Sequence, residues 1–541
     1  DRIWEPATHI GLVDDPQNQR QIPLEVNFTR GGHHALLGAA ASGKSTFVQT
    51  LLASLMNRFA PDYLNIYVLD FSARLTQPFQ NAPHVGGILF EDDLPRVGKL
   101  FYLLRSILAE RKQLFRGGDF KQYTMTNGVV CPAVLLVIDN MANFREKTNQ
   151  VYDDDLIRLA RQGASYGVYL LLTGGGFSMA DIPTRLADQI RTTLTLELAD
   201  AFQYGDALRT APPKLLPEAG IHGRGLAGVD GTVLEYQTAV ATPGEDVYAR
   251  AEALEAVCRE MADAWQGAPA RPVPVIPEKP VLQDLLDRPE TAALLADDRH
   301  LPIGYDFETG GIYSIDLRYT YCYVVSGRAR TGKTNLLRLF MRMAARKQMR
   351  VSVLESGGAA LKNEAEKLGA DHCATLEELV GFVGRLGETF RSRKAIKTAL
   401  LEQGAEEDEL YAAMRREPAW LIVIDDLVNF VERANRSDAR ARNLDGALAN
   451  LIGAGFLYNI YFVAGLDQST RGKVSGTPVY EEFVKDKNGI HLGGSVSSQG
   501  LFEFTGMPFS EQGKPEKPGV GLAPPRDGET YRRVILPQVK G

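Results

Sequence analysis

Two short segments of this 541-residue chain combine glycine, lysine and a hydroxyl residue at a spacing that can wrap phosphate groups. Residues 38–45 read Gly-Ala-Ala-Ala-Ser-Gly-Lys-Ser, and residues 327–334 read Gly-Arg-Ala-Arg-Thr-Gly-Lys-Thr. Both segments fit the phosphate-loop pattern G-x-x-x-x-G-K-[ST]. One such match arises by chance roughly once per 10⁴ to 10⁵ positions at average residue usage. Two matches that lie a domain's length apart therefore indicate two nucleotide-binding sites.

The chemistry of a phosphate loop gives each residue type a role. Backbone N–H groups of the loop surround the phosphate oxygens, and the helix that follows presents its positive end. We expect Lys44 and Lys333 to reach the β- and γ-phosphates, and the hydroxyls of Ser45 and Thr334 to hold Mg²⁺. ATP and Mg²⁺ are therefore the predicted cofactors. The candidate cofactor-binding residues are Gly38, Ala39, Ala40, Ala41, Ser42, Gly43, Lys44 and Ser45, and Gly327, Arg328, Ala329, Arg330, Thr331, Gly332, Lys333 and Thr334.

Each loop is followed further along the chain by an acidic strand end. A run of five apolar residues precedes both Asp139 and Asp425, which places a carboxylate at the carboxyl edge of a sheet, near a bound Mg²⁺. The next residue normally orients the attacking water. It is Asn140 in the first case, which cannot accept a proton, and Asp426 in the second, which can. Asp139, Asp425 and Asp426 are the predicted catalytic residues.

The same positions predict weak hydrolysis, because base and water-positioning groups contribute roughly 10²–10⁴ in rate. The strand that usually reads the γ-phosphate ends in Thr173 and three glycines in the first copy, and in Gly-Leu-Asp-Gln at 465–468 in the second. A polar residue at the end of this strand usually contacts the γ-phosphate, and neither strand end is a clean polar sensor of this kind. We expect an ATPase by fold whose hydrolysis is slow, and poorest in the first copy. Arg185, Arg191 and Arg471 follow these strands and are candidate arginine fingers.

The elements around the two loops occur in the same order in both halves of the chain. An apolar run precedes each loop, a helical pattern follows it, and strands then alternate with helices. Such alternation requires a mostly parallel sheet with helices on both faces. The sequence therefore predicts an α/β fold of tandem P-loop NTPase domains, and these domains resemble the RecA/FtsK-like type. The predicted boundaries are residues 1–266 for the first domain, 267–284 for a proline-rich, extended linker and 285–541 for the second domain.

Composition restricts the class of partner. The chain is 44% hydrophobic and 23% charged, with a formal net charge of −7. This acidic balance gives no electrostatic footprint for DNA, although a basic channel inside an acidic ring stays open. Four scattered cysteines predict neither a disulfide framework nor a zinc site. The longest apolar stretch, 129–138, is shorter than the ~18–20 residues that cross a bilayer, and the chain starts without methionine. We therefore expect a soluble piece cut from a longer protein.

Several strings resemble one known family. They are Leu-Asn-Ile-Tyr-Val-Leu-Asp-Phe at 64–71, Pro-His-Val-Gly-Gly at 83–87, Glu-Arg-Lys at 110–112, Gly-Lys-Thr-Asn-Leu-Leu at 332–337 and Gly-Gly at 493–494. Together they resemble the carboxyl-terminal half of the EssC/EccC membrane ATPases, which are FtsK/SpoIIIE-type motors of type VII secretion. The resemblance covers nearly the whole chain and implies the second and third ATPase domains of such a protein.

This resemblance also implies a setting and partners. It implies the cytoplasmic part of a cell-membrane protein that is a homo-hexamer at full length and contacts other subunits of the secretion machine. It implies small helical WXG100-type proteins as secreted partners and no nucleic acid. The last domain would take the carboxyl-terminal signal of such a partner in an apolar pocket, whose residues the motifs leave unassigned. The departures at Asn140 and at both sensor strands would then serve regulation and substrate reception rather than the main power stroke.

Two other functions stay open at this point. One is a DNA translocase or conjugative coupling ATPase of the FtsK/HerA superfamily, against which the acidic balance argues. DNA binding with a steep salt dependence would support it. The other is a non-catalytic scaffold whose nucleotides hold the domains together, which Asn140 and the altered strand ends favour for the first copy. ATP that is retained but not turned over would support this second alternative.

Overall fold

The computed structural model describes residues 4–356, 358–436, 443–525 and 530–540 of the chain. The chain divides into two compact units, residues 1–274 and residues 275–541, which we call unit 1 and unit 2. Each unit contains one ten-stranded sheet. Among the described residues, no helix combines the length and the hydropathy that a bilayer crossing requires.

The strands of unit 1 are β1 Ala7–Asp15, β2 Arg20–Asn27, β3 His34–Leu37, β4 Leu64–Asp70, β5 Val85–Phe90, β6 Ala133–Asp139, β7 Val168–Gly174, β8 Thr192–Thr195, β9 Arg224–Val229 and β10 Thr232–Thr238. Its helices are α1 Phe28–Gly31, α2 Lys44–Arg58, α3 Leu94–Phe115, α4 Phe120–Asn127, α5 Met141–Lys147, α6 Asp153–Gln162, α7 Thr184–Ala187, α8 Ala201–Leu208 and α9 Val247–Ala264. The sheet order is β2-β1-β10-β9-β8-β3-β7-β6-β4-β5. Strands from β8 to β5 in this order are parallel, and the other neighbours are antiparallel.

The strands of unit 2 are β11 His300–Asp306, β12 Ile312–Asp316, β13 Cys322–Gly327, β14 Arg350–Leu354, β15 Asp371–Cys373, β16 Trp420–Ile424, β17 Ile460–Asp467, β18 Gly489–Leu492, β19 Val520–Ala523 and β20 Arg532–Ile535. Its described helices are α10 Leu282–Leu286, α11 Pro289–Ala296, α12 Lys333–Arg346, α13 Lys362–Leu368, α14 Leu376–Glu402, α15 Glu407–Arg416, α16 Leu427–Ala434, α17 Leu444–Ala454, α18 Pro478–Val484 and α19 Phe509–Gln512. The order β12-β11-β20-β19-β18-β13-β17-β16-β14-β15 repeats that of unit 1 strand for strand.

Helices cover both faces of the sheet in unit 1, as alternate residues of its central strands show. Ile66 and Val68 of β4 pack into one layer with α2 and α9, whereas Tyr67 and Leu69 pack into the other with α3, α5 and α6. Every residue of β4, β6 and β7 is buried, as expected for parallel strands covered on both sides. The predicted α/β class, with two P-loop domains in tandem, is confirmed.

A buried arginine lies at the amino-terminal ends of the parallel strands in each unit. Arg111 of α3 is 5% exposed, and Arg393 of α14 is 4% exposed. Each guanidinium donates to three backbone carbonyl oxygens that lie just ahead of two neighbouring strands. The acceptors are Pro132, Tyr166 and Gly167 in unit 1, and Pro418, Tyr458 and Asn459 in unit 2.

The first part of the proline-rich segment belongs to unit 1 and packs against its sheet. The backbone nitrogen of Ala270 donates to the carbonyl oxygen of Pro83 at 2.8 Å, and that of Val273 donates to Gly86 at 2.9 Å. The side chain of Val273 is 2% exposed and packs into the core. We call residues 268–274 the strap, because they run alongside the edge strand β5. The last residues of the predicted linker already begin helix α10.

Candidate nucleotide-binding sites

The phosphate loop of unit 1 connects β3 to α2 at the carboxyl edge of the parallel strands. Its backbone takes the left-handed conformation at Ala41 (φ 60°) and at Gly43 (φ 104°). A Cβ on Gly43 would lie 2.9 Å from the backbone nitrogen of Gly223, which donates to the carbonyl oxygen of Ser42 at 3.0 Å. Both the backbone conformation and this close approach require glycine as the second glycine of the motif.

Lys44 is folded over this loop. Its Nζ donates to the carbonyl oxygens of Gly38 and Ala39 at 2.6 and 2.7 Å. Burial lowers the pKa of the Lys44 ammonium, and the carboxylates of Asp139 and Asp181 oppose that shift. The ammonium is thus held at the rim of the loop, where the outer phosphates of a nucleotide would lie.

Ser45, Asp139 and Thr173 form one hydrogen-bonded group beside the loop. Ser45 Oγ donates to Asp139 Oδ2 at 2.7 Å, and Thr173 Oγ1 donates to Asp139 Oδ1 at 2.6 Å. Asp139 is 1% exposed. Burial raises the pKa of its carboxyl, while these two hydrogen bonds oppose the rise. A hydroxyl and a carboxylate in contact at this edge are the pair that P-loop enzymes use around Mg²⁺.

The end of β7 differs from what the sequence indicates. The sequence predicts no clean polar sensor in unit 1, yet the hydroxyl of Thr173 contacts Asp139 directly and also accepts from the backbone nitrogen of Asn140 at 2.8 Å. Asn140 has a positive φ of 74° and caps α5, because its side-chain oxygen accepts from the backbone nitrogen of Asn143 at 3.2 Å. The amide of Asn140 is therefore engaged in a helix cap, and it cannot take a proton from water.

Asp181 was not evident from the sequence, and it lies against the glycines that follow Thr173. Its Oδ2 accepts hydrogen bonds from the backbone nitrogens of Gly175 and Gly176. Burial raises the pKa of the Asp181 carboxyl, whereas these two donors and the charge of Lys44 oppose the rise. The run of three glycines is the signal that could have found it, because consecutive backbone N–H groups form a cradle for an anion.

The phosphate loop of unit 2 connects β13 to α12 and has the same backbone. Its left-handed residues, Arg330 (φ 63°) and Gly332 (φ 102°), stand at the same two positions of the motif. Lys333 Nζ donates to the carbonyl oxygens of Gly327 and Arg328 at 3.0 and 2.6 Å. Burial lowers the pKa of this ammonium, as it does in unit 1. The two loops therefore present their lysines in the same way.

The acidic strand end of unit 2 is arranged differently. Asp425 Oδ1 accepts from the backbone nitrogens of Ser356 and Asp426 at 3.2 and 2.7 Å. Within the part of the chain that the structure describes, the hydroxyl of Thr334 makes no hydrogen bond to Asp425, in contrast to the equivalent serine of unit 1. Burial, together with the nearby carboxylate of Glu355, raises the pKa of Asp425 to about 6. The structure brings the loop hydroxyl and the acidic strand end into contact only in unit 1.

Asp426 is the N-cap of α16. Its Oδ1 accepts from the backbone nitrogens of Val428 and Asn429 at 3.0 and 3.1 Å, and its Oδ2 accepts from the side-chain nitrogen of Asn429 at 2.9 Å. Both carboxylate oxygens are engaged, so activation of a water by Asp426 would compete with the helix cap.

The raised pKa of Asp425 has a measurable consequence for stability. Its folded-state pKa of about 6 lies above the usual 3.8, so folding favours the protonated carboxyl. This contribution is fully present below pH 3.8 and is lost as the pH rises through about 6. At pH 8 the charged form costs unit 2 roughly 1–3 kcal/mol. We expect Asp425→Asn to raise the unfolding temperature of unit 2 at pH 8, measured by calorimetry without nucleotide, and to change it little at pH 4.

Asp408→Asn is the matched control, because the Asp408 side chain is 91% exposed. It should leave the unfolding temperature of unit 2 nearly constant at both pH values. An equal stabilisation by Asp425→Asn at pH 4 and pH 8 would contradict the assigned cost of the buried charge.

These features define a class of protein. Each unit has a phosphate loop between a central strand and a helix, an acidic strand end at the same edge, and one shared strand order. The two units are tandem P-loop ATPase domains. Residues 2–203, which lie in unit 1, match the FtsK/SpoIIIE family.

Curated relatives of the chain are secretion proteins. The type VII secretion system protein EssC of Staphylococcus aureus (strain MRSA252) is 25% identical over 325 residues, which cover 58% of this chain and 22% of that protein. The ESX secretion system protein EccC of Geobacillus thermodenitrificans (strain NG80-2) is 24% identical over 524 residues, which cover 95% of this chain and 33% of that protein. The chain is thus similar to the secretion system proteins EssC and EccC, and it spans a third or less of the length of these two relatives.

Two solved structures share the fold of the whole chain. EssC (ATPases 2 and 3) from Geobacillus thermodenitrificans has a TM-score of 0.73 at 20% identity and covers 99% of this chain and 96% of its own. Thermomonospora curvata EccC (ATPases 2 and 3), solved in complex with a signal sequence peptide, has a TM-score of 0.62 at 21% identity, with 99% and 94% covered. At these identities the likeness concerns the fold.

Proposed function

We propose that both units bind Mg²⁺–ATP and that the chain is the substrate-receiving part of a type VII secretion ATPase. The observation that supports nucleotide binding is the contact between Ser45 and Asp139 beside a loop whose lysine lies at its rim. Backbone N–H groups of the loop, the Lys44 ammonium and the Ser45 hydroxyl would hold the phosphates and the metal. Unit 2 offers the same lysine geometry, with Thr334 at the start of α12.

Slow hydrolysis is part of the proposal. In unit 1, Asn140 stands where a proton acceptor is needed, and its side chain is engaged in the cap of α5. In unit 2, Asp426 could take a proton, but the cap of α16 occupies both of its oxygens. Bound Mg²⁺ would supply charge neutralisation for the phosphates, whereas neither unit has a free carboxylate in the water-activating position.

The relatives support a setting for this activity. We place the chain in the cytoplasmic part of a membrane-anchored protein that assembles as a homo-hexamer with other subunits of a secretion machine. Its proposed cargo is a small helical protein of the WXG100 type. The neighbouring Thermomonospora curvata structure, which holds a signal sequence peptide, supports a role in peptide reception.

The strap of unit 1 supports a specific place for that peptide. It runs beside β5, the last strand of the sheet, with two backbone hydrogen bonds and the Val273 side chain in the core. The corresponding last strand of unit 2 is β15, and α14 follows it as α3 follows β5. Because an edge strand offers unpaired backbone groups, an extended peptide can add to it as the strap does in unit 1.

The region beside β15 contains a cavity of about 360 Å³. Its lining is mostly polar and charged, unlike the apolar pocket that the resemblance implies, and consists of Asp371, His372, Cys373, Glu377, Glu378, Gly381 and Arg385. We propose that the carboxyl-terminal segment of the secreted protein docks here, with its backbone on β15 and side chains in this cavity.

Isothermal titration calorimetry with Mg²⁺–ATP and Mg²⁺–ADP on nucleotide-stripped protein tests the first part of the proposal. We expect two binding events and a turnover far below the roughly 1–10³ s⁻¹ of typical enzymes. The absence of any binding heat would contradict the proposed nucleotide binding. Rapid ATP turnover would contradict the proposal that these domains receive substrate and hydrolyse ATP slowly.

Filling the cavity beside β15 tests peptide reception. A Cβ on Gly381 meets only the tip of Arg385, at 3.6 Å, so Gly381→Phe should fold and occupy the cavity. We expect it to weaken binding of a fluorescent WXG100 carboxyl-terminal peptide at least tenfold in anisotropy titrations. Gly387→Phe, on the same helix with open space around its Cβ, should bind the peptide normally. Equal affinities for both variants would place the peptide elsewhere.

A non-catalytic scaffold remains the second candidate for unit 1, and the capped Asn140 favours it. This alternative predicts that ATP copurifies with unit 1, is never hydrolysed and is unaffected by the peptide. Single-turnover hydrolysis in a Lys333→Ala background separates the two, since any peptide-stimulated turnover in unit 1 contradicts a scaffold.

A further inference from the structure

A carboxylate lies beside the phosphate loop of unit 1, held by the glycine-rich turn that follows β7. The loop is joined to this turn directly, because the backbone nitrogen of Gly38 donates to the carbonyl oxygen of Gly174 at 3.0 Å. The next two glycines donate their N–H groups to Oδ2 of Asp181. Lys44 Nζ contacts the carbonyl oxygen of the same Gly38 at 2.6 Å. Asp181 is therefore near enough to Lys44 for the two opposite charges to stabilise each other.

The turn is shaped around this carboxylate. A Cβ on Gly174 would lie 2.5 Å from Asp181 Oδ1, so the glycine is what lets the carboxylate approach. Oδ1 is buried and has no hydrogen-bond partner among the described residues. A buried oxygen without a partner is unfavourable by about 1–3 kcal/mol. This close approach explains the glycine at 174, whereas a Cβ on Gly176 would meet no atom within 4 Å.

Unit 2 also has a carboxylate beside its phosphate loop, but this one is supplied by the strand itself. Asp467 ends β17 and pairs in register with Gly327, the first residue of the second phosphate loop. Its Oδ1 accepts from the backbone nitrogen and hydroxyl of Ser469 at 2.9 and 2.7 Å. The charges of Asp467 and Lys333 stabilise each other. Unit 1 thus presents an acidic group from the turn that follows β7, and unit 2 presents one at the end of β17, each beside its phosphate loop.

We propose that Asp181 and Asp467 are specificity-determining residues that disfavour the γ-phosphate, so that both sites prefer a nucleoside diphosphate to the triphosphate. This inference rests on the proposed nucleotide binding. A carboxylate beside the loop lysine already neutralises that cation, and it repels the extra negative charge that a triphosphate brings to the same place. A diphosphate ends short of this position and avoids the repulsion. The resting state of both sites is then the diphosphate-bound one.

The test compares ADP and ATP affinities, measured by calorimetry with Mg²⁺ on the full chain. Unit 1 is read in a Lys333→Ala background and unit 2 in a Lys44→Ala background, so that each titration reports one site. We expect Asp181→Asn to strengthen ATP binding by unit 1 about tenfold and ADP binding by less than about twofold. Asp467→Asn should do the same in unit 2. Asp188→Asn and Asp408→Asn, both exposed, are the matched controls and should change neither affinity.

A second variant guards against a folding effect of Asp181→Asn. Gly174→Ala keeps the carboxylate but pushes it away from the turn, and it should shift the ATP to ADP ratio in the same direction. Equal gains for both nucleotides, or no gain in any variant whose unfolding temperature is preserved, would overturn the inference while leaving nucleotide binding intact. If the unaltered chain binds neither nucleotide, the proposed function itself fails, and this inference fails with it.

Discussion

Replacing Lys44 with alanine is expected to weaken Mg²⁺–ATP binding by unit 1 about 10- to 100-fold, and Lys333→Ala should do the same in unit 2. Each ammonium lies over its loop, and among the described residues its hydrogen bonds go only to loop carbonyl oxygens, which it can exchange for phosphate oxygens. Its loss removes one or two charge-assisted hydrogen bonds to the phosphates, each worth roughly 1.5–3 kcal/mol. Calorimetry on the single variants should therefore show one intact and one weakened site.

The exposed lysines Lys121 and Lys362 provide matched controls, one in each unit. Lys121→Ala and Lys362→Ala carry the same loss of charge outside the loops, so both should bind ATP normally. Retained affinity at both sites in Lys44→Ala and Lys333→Ala would mean that the two loops do not hold phosphate, whatever their sequence.

Replacing the buried arginines is expected to destabilise one unit at a time. Arg111→Met should lower the free energy of unfolding of unit 1 by about 3 kcal/mol, because it removes the guanidinium hydrogen bonds to three strand-end carbonyl oxygens. Arg393→Met should do the same to unit 2. For units of this size, such a loss lowers the unfolding temperature by about 6–12 °C.

Hydrogen–deuterium exchange with mass spectrometry can assign each loss, since protection should fall in one unit and persist in the other. Lys112→Met and Lys394→Met, at the exposed neighbouring residues, should be close to neutral. Global loss of protection from either arginine variant would show that the two units do not unfold separately. A neutral Arg111→Met would show that water replaces the guanidinium at no cost.

Much of the architecture could be predicted from the sequence because it depends on short-range patterns. The apolar runs before each phosphate loop and the alternation of strands and helices predict a mostly parallel α/β sheet, and six of the ten strands in each sheet are parallel to their neighbours in that set. The internal repeat was also visible, because equivalent strings recur in order. The arginines show the limit of such reading. Glu110-Arg111-Lys112 served as a family string, but nothing in it indicated that Arg111 binds strand ends.

The candidate nucleotide-binding sites were likewise predictable only in part. The phosphate-loop motif of unit 1 occupies eight consecutive residues, 38–45. The loop and its lysine could therefore be identified without a structure. The polar role of Thr173 at the end of β7 could not be identified in this way. Its contact with Asp139 joins residues 34 positions apart and depends on which strands are neighbours in the sheet. Sequence periodicity indicates that a strand exists, but it does not indicate which strands are its neighbours in the sheet.

By itself, the sequence determined that this chain has two phosphate loops in two α/β domains, since a loop that wraps phosphate is built from consecutive residues. Only the tertiary structure decided that Asp181 binds the glycine turn beside the loop of unit 1, that Asp426 is occupied as a cap and that the strap lies along β5. The contact between Tyr67 and the strap residue Arg271 spans 204 positions. Such arrangements follow from strand order and chain closure, which bring distant residues together through packing that no local pattern encodes.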